Sequence, residues 1–254
     1  AINRDDAKSS EAGMKYFVLG ALTSGLILFG ISLEYGANGT LNFAAVSASG
    51  FDLFSIFAKV FILIAIFFKI SAAPFHMWAP DVYEGSPTQS VCFFATASKV
   101  AGIVVLARLF GYWALANNGA NWEQIIMFVS AFSMLVGSFG ALLQNNIKRL
   151  MAYSSISHIG FLLLPIIFYS SIDYQVLFKY LTIYLTMTLG VFFILQNLTY
   201  DKSYDNSFSS IAGLSRNQPF LALSMAIFMF SFAGVPPLAG FFAKVYVIIP
   251  IIDS

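Results

Sequence analysis

Seven stretches of roughly twenty residues run through this sequence with almost no charge, near 13–35, 54–73, 88–112, 123–143, 151–169, 175–199 and 219–252. About twenty helical residues cross the hydrocarbon layer of a bilayer, which is ~30 Å thick. Inside that layer each backbone N–H and C=O must be bonded within the protein, so only helices and closed barrels are viable. None of the seven runs alternates polar and apolar residues as a barrel strand does. The fold class that follows is an all-α polytopic membrane protein, a bundle of about seven transmembrane helices forming one transmembrane domain over residues 1–254. Only 10% of the residues are charged and 59% are hydrophobic, whereas a soluble domain carries about 25% charged residues.

The opening AINRDDAKSSEAG lacks the apolar core of a signal peptide. The close, GFFAKVYVIIPIIDS, still reads as membrane helix, so the chain is expected to be an internal fragment of a longer one. A net charge of +1 argues against a nucleic-acid partner, and the lone Cys92 excludes an intrachain disulfide. The sequence has no C-x-x-C pair, Gly-rich phosphate loop, G-x-S-x-G elbow or pair of histidines across spans. Neither a cofactor nor a metal ion is therefore expected on this chain.

Basic residues orient the bundle. With the N-terminus on the cytoplasmic side, the loops on that side hold Arg4, Lys8, Lys15, Lys148, Arg149, Lys202 and Arg216. The opposite loops, 36–53, 113–122 and 170–174, hold no Lys or Arg. Positive charge gathers on the cytoplasmic side of membrane proteins, so the N-terminus is expected there, or on the matrix side in a mitochondrion. Lys59, Arg108 and Lys179 lie near span ends, where a long side chain can snorkel to the interface.

Three lysines resist that explanation. Lys99, in TQSVCFFATASKVAGIVVLARLFGY, is eleven residues from one end of its span and thirteen from the other, about 16 to 20 Å from either interface. A lysine at the bilayer centre costs about 2.5–3.5 kcal/mol even on insertion scales. Its neighbours Ala95, Thr96, Ala97, Ser98, Ala101 and Gly102 are small and allow close helix packing, so Lys99 should face the bundle. Lys69 precedes the S-A-A-P break. Pro74 cannot donate to the carbonyl of Ile70, and the freed carbonyls are expected to receive the Lys69 ammonium. A second break, G-V-P-P-L-A-G, stands just before Lys244. Helices broken at matching places in two halves mark a transporter built from repeats. The breaks fall in the second and seventh spans, five apart, which is the spacing of a five-plus-five inverted repeat.

Almost no carboxylate lies at membrane depth to pair with these lysines. Burial disfavours the charged form of an amine, so such lysines can take up and release protons, and a chain of them makes a relay. The competing role is purely structural, with each ammonium held by carbonyls. His76 follows the first break, and His158 lies in YSSISHIGFLLLP beside three serines. Imidazole titrates near neutrality and can bridge a proton path. Glu11 and Lys15, spaced i, i+4, form a favourable helix pair. Asp81 and Glu84 could cap the next helix around Ser86 or Thr88 or gather protons at an entrance, and the cap is the expectation. The connector at 200–219 should be a loop with an amphipathic turn around IAGL.

The motifs FFKISAAPFHMWAPDVYEGSPT, ATASKVAGIVVLARLF, NNIKRLMAYSSISHIGFLLLP and AGVPPLAGFFAKVYV, in that order, resemble the antiporter-like membrane subunits of respiratory NADH–quinone oxidoreductase (complex I). KISAAPFHMWAPDVYEG is most similar to the subunit N branch, where the sister branches read more like PLHTWLPDA. The resemblance implies a subunit that moves protons through buried lysines, driven indirectly by NADH oxidation and quinone reduction elsewhere in the complex. Lys69 would be the broken-helix lysine, Lys99 the central one and Lys244 the lysine of the exit half, with His76 the histidine after the break and Glu11 and Lys15 the early Glu–Lys pair. The family's glutamate partner for Lys69 lies on a helix that would precede this chain, which would hold the sixth to the twelfth of about fourteen helices. NADH, FMN, iron–sulfur clusters and quinone would be bound by other subunits, and this chain would bind none. Its partners would be lipid, protons, the neighbouring antiporter-like subunit and the other membrane-arm subunits, in a bacterial inner membrane or a mitochondrial one. The rival reading is a subunit of a multi-subunit sodium–proton antiporter, which shares this ancestry. An organic-solute transporter or an assembly factor would not need three buried lysines.

Overall fold

The computed structural model describes residues 6–43, 53–115, 122–167, 174–199 and 204–252. Arg4, Lys202 and most of the loops expected to lack positive charge (44–52, 116–121 and 168–173) lie outside the described residues. Among those described, the architecture is helical throughout, apart from one isolated antiparallel bridge between Asn146 and Ser207.

Helix α1 (Ala7–Asn38) is 32 residues long, about 48 Å, and so overshoots the hydrocarbon layer. It starts six residues before the apolar run expected from 13, because Asp6 accepts a hydrogen bond from the Lys8 backbone N–H at 3.0 Å and caps it. Glu11 is carried on this polar extension, and Lys15 follows one turn later. Helix α2 (Leu53–Ile70) packs lengthwise against α1. A short helix α3 (Trp78–Gly85) then lies against α1 and α7. Helices α4 (Thr88–Ala95) and α5 (Ala97–Leu115) together make one span of the bilayer. Helices α6 (Trp122–Leu142), α7 (Ile147–Ile167) and α8 (Tyr174–Leu198) follow. The connector holds two short helices, α9 (Phe208–Ile211) and α10 (Leu214–Asn217), where a turn around IAGL was expected. Helices α11 (Pro219–Ala233) and α12 (Ala239–Ile252) are the two halves of the last span.

Among the described residues, six helical stretches are long and apolar enough to cross a membrane, and the seventh expected span is the split pair α11–α12. The best-buried side chains gather on α7 and α8, including Ile159, Leu162, Leu163, Val191 and Leu195. Close backbone approach holds α6 to α7. A Cβ on Gly160 would stand 2.7 Å from the Ser130 carbonyl, and the Ser130 hydroxyl donates to the Gly160 carbonyl at 2.7 Å. Small residues at such contacts are how helices associate where lipid offers no hydrophobic drive. Large apolar side chains such as Phe128, Leu135 and Phe139 of α6 point outward, as lipid-facing positions should.

Both expected breaks are present. Residues 71–77 separate α2 from α3, with Ser71 at φ 58° and a cis Ala73–Pro74 bond. Residues 234–238 separate α11 from α12, with Gly234 at φ 84° and a cis Pro236–Pro237 bond. A third interruption was not expected. The span at 88–112 is broken at Thr96, whose backbone (φ −113°, ψ −82°) leaves the helical region.

Candidate functional site

The Thr96 interruption sits three residues before Lys99. Without a helical turn there, the Ala95 carbonyl needs another donor, and the Tyr184 hydroxyl of α8 supplies it at 3.0 Å. Thr96 itself donates from Oγ1 to the Cys92 carbonyl at 2.7 Å. Lys99 is 1% exposed. Its Nζ donates to Ser155 Oγ of α7 at 2.5 Å and lies 5.7 Å from the centroid of the Tyr83 ring on α3. The Ser155 hydroxyl in turn donates to the Ala152 carbonyl at 2.6 Å. Serine and an aromatic face are what receive this amine, and no carboxylate lies within 4.0 Å of it among the described residues. A fully buried ammonium held by a hydroxyl gains far less than one held by a carboxylate.

One turn along α7, His158 is 3% exposed. Its Nδ1 lies 2.8 Å from the Tyr180 hydroxyl of α8. The ring is also flanked by Tyr184 and, edge-on at 5.2 Å between centroids, by Phe232 of α11. The Phe232 backbone carbonyl lies against the imidazole as well. Lys244 donates to that same carbonyl and to the carbonyl of Ala233, both at 3.1 Å. These are the last carbonyls of α11, left without helical donors by the break. Lys244 is also 5.3 Å from the centroid of Phe161. Lys99, Ser155, His158, Tyr180, Tyr184 and Lys244 thus gather around one face of α7.

The carbonyl niche expected for Lys69 is found instead around Lys244. At the first break the Phe68 carbonyl accepts from Trp78 Nε1 at 2.9 Å and from the Ser71 N–H at 3.0 Å. The Phe67 carbonyl accepts from the Ala72 N–H at 2.9 Å, and the Ile70 carbonyl accepts from the Ser71 hydroxyl at 2.6 Å. The break satisfies itself before the lysine can reach it. Lys69 is exposed and lines a cavity of about 390 Å³ with Phe17, Gly20, Ser24, Trp78 and Ser98. His76 is buried within the break, with no hydrogen-bond partner for Nδ1 among the described residues. Hydrogen bonding joins neither Lys69 nor His76 to the Lys99–Lys244 group.

Three further expectations need correction. Asp81 and Glu84 do not cap α4, whose N-cap position, Pro87, has no side-chain capping bond. They form ion pairs instead. Asp81 pairs with Lys15 at 2.6 Å and Arg149 at 3.0 Å, and Glu84 pairs with Lys8 at 2.8 Å and Arg149 at 2.9 Å. Lys15 also holds Glu11 at 2.6 Å, so the expected helix pair is one edge of a larger network. Partial burial opposes ionisation of Asp81 and Glu84, but the cations on either side outweigh it and hold both carboxyls below the usual range. Lys59 does not snorkel. It is 4% exposed and feels the charge of Glu34, whose carboxylate accepts from Ser55 and Asn38. Lys148 is likewise buried, with Nζ donating to the Ser86 carbonyl at 3.1 Å. Arg108 and Lys179 are exposed, each against an aromatic ring.

Tyr180, Tyr184 and Ser155 went unrecognised as site residues in the sequence. Tyrosines at apolar spacing look like packing residues, and only Ser155 carried a signal, by lying three residues from His158.

A membrane bundle whose amines sit at interrupted helices has the build of the broken-helix transporter folds. The chain belongs to the NADH:quinone oxidoreductase/Mrp antiporter transmembrane family, whose model matches residues 1–254. It is 50% identical over 259 residues to NADH-quinone oxidoreductase subunit N 1 of Rhizobium meliloti, covering all of this chain and 54% of that one. It is 47% identical over 258 residues to the subunit N of Parvibaculum lavamentivorans, covering all of this chain and 53% of that protein. The chain therefore spans about half the length of these curated relatives. Among solved structures, a chain of respiratory complex I from Thermus thermophilus superposes with a TM-score of 0.81 at 35% identity, over 96% of this chain and 53% of that one. A chain of the Mrp complex from a Dietzia species superposes at 0.88 with 24% identity, over 97% of this chain and 46% of that one, a likeness of fold.

Proposed function

We propose that this chain is the proton-carrying part of a subunit N of respiratory NADH–quinone oxidoreductase. Protons pass along Lys99, His158 and Lys244, and the energy comes from NADH oxidation and quinone reduction on other subunits. Lys99 carries the reading, as a fully buried amine bonded to a hydroxyl. Lys69 serves on the entry side, where its open cavity leaves room for a partner helix, and His76 lies beside the same break. Glu11 and Lys15 act at the membrane surface. No redox step falls to these residues, so flavin, iron–sulfur clusters and quinone belong to other subunits. The chain sits among the other membrane-arm subunits, next to an antiporter-like neighbour, in a bacterial inner membrane. Its N-terminal end faces the cytoplasm, in keeping with Lys8, Lys15, Lys148, Arg149 and Arg216 on that side.

The test is NADH-driven proton pumping in sodium-free vesicles from cells whose full-length subunit carries Lys99→Ala, with assembly checked on the same membranes. Pumping and quinone-dependent turnover should fall at least about tenfold, as when a positioned proton carrier is removed. Normal pumping by an assembled complex would reduce Lys99 to a structural cation.

A further inference from the structure

We infer that Tyr180 is a positioning residue for the proton path: its hydroxyl fixes the tautomer and orientation of His158 and so joins the Lys99 side to the Lys244 side. This rests on the proton-carrying role proposed above. The hydrogen bond at Nδ1 sets the tautomer. A phenol has a single proton to donate, and the Tyr180 oxygen lies 2.8 Å from Nδ1. In the neutral imidazole that proton is donated to Nδ1, which leaves the ring proton on Nε2. Phe232 closes the other side of the ring, edge-on at 5.2 Å between centroids, so the imidazole is bonded by α8 and packed by α11.

The same pair tolerates the charged state without moving a heavy atom. When a proton arrives at Nδ1, the imidazolium becomes the donor and the Tyr180 oxygen accepts it. On the far side of the ring, the carbonyl of Phe232 accepts from Lys244 at 3.1 Å. The charged groups acting on His158 are Lys99 from α5 and Lys244 from α12, and the phenols facing it are Tyr180 and Tyr184 from α8. A cationic imidazole between two amines is stable only while they are not both charged. His158 can therefore report to one lysine the protonation of the other, and that role needs its orientation held in both states.

Tyr180→Phe keeps the ring and removes the hydroxyl. The measurement is NADH-driven pumping by the assembled complex across pH 6 to 9, for wild type, Tyr180→Phe and Lys99→Ala. Loss of an orienting partner should lower the maximal rate roughly tenfold. It should also displace the pH of half-maximal pumping, because the imidazole loses a partner that served both of its states. A rate unchanged from wild type, or one lowered by the same factor at every pH, would overturn the inference and leave Tyr180 a packing residue. If Lys99→Ala pumps normally, the lysine relay itself falls. If Lys99→Ala fails while Tyr180→Phe parallels wild type, only the role of Tyr180 is lost.

Discussion

Gly234 occupies the point where α11 ends and the chain turns back toward Lys244. Its φ of 84° is a left-handed conformation, and its N–H donates to the carbonyls of Phe230 and Ser231. A side chain there meets two separate costs. Backbone strain for a non-glycine residue at such a φ is about 1–3 kcal/mol. A Cβ would also stand 3.2 Å from Lys244 Nζ, pushing the amine off the two carbonyls that hold it. Gly213, at φ 87° with open space around it, has the strain without the crowding. On the proton-carrying role proposed above, Gly234→Ala should therefore reduce pumping by the assembled complex several-fold, while Gly213→Ala should lower only its thermal stability. Equal loss in the two variants would show that strain alone matters. The sequence pointed to this break through G-V-P-P and to Lys244 through its position. It gave no means of deciding which break feeds its lysine, because that depends on Trp78 and Ser71 reaching the first set of carbonyls.

Helices with Gly or Pro at their interruptions were legible as broken; the one interrupted at Thr96 was not. FFATASK contains neither Gly nor Pro, and each of its residues is compatible with a helix. The break exists because a partner on another helix replaces a backbone donor: the Tyr184 hydroxyl donates to the Ala95 carbonyl, to which the Lys99 N–H would donate in a continuous helix. Such an exchange is a tertiary fact, invisible to any local pattern. Tyr184→Phe would leave that carbonyl buried and unpaired, at a cost of about 1–3 kcal/mol. The purified complex should then lose the subunit at a lower temperature, by a few degrees. An unshifted transition would mean that α4 and α5 close into one continuous helix when the tyrosine is absent.

Across the whole molecule, the bundle is held at one end by charges and in its interior by packing. Composition and span counting reached the packing, whereas the ion pairs that join α3 to α1 and α7 stayed hidden because each links residues 65 or more apart in the chain. Arg149 of α7 is its centre, bridging Asp81 and Glu84 of α3, while Lys8 and Lys15 of α1 hold the same two carboxylates from the other side. The network thus docks the short helix α3, which carries Tyr83 onto Lys99. Arg149→Ala removes two of its pairs and should destabilise the docked helix by about 1 kcal/mol, since the groups are partly exposed. High salt should shrink the difference from wild type. The pH dependence has a definite sign. Carboxyls held below their usual range contribute stability that is complete above about pH 4 to 5 and disappears as pH falls through their lowered values. The gap in thermal stability between wild type and Arg149→Ala should therefore be constant from pH 5.5 to 8 and close on strong acidification. Heat-induced release of the subunit from the purified complex, followed at neutral and acidic pH, measures it. A gap that survives full protonation of the carboxyls would assign the contribution of Arg149 to packing of its aliphatic stem rather than to its charge.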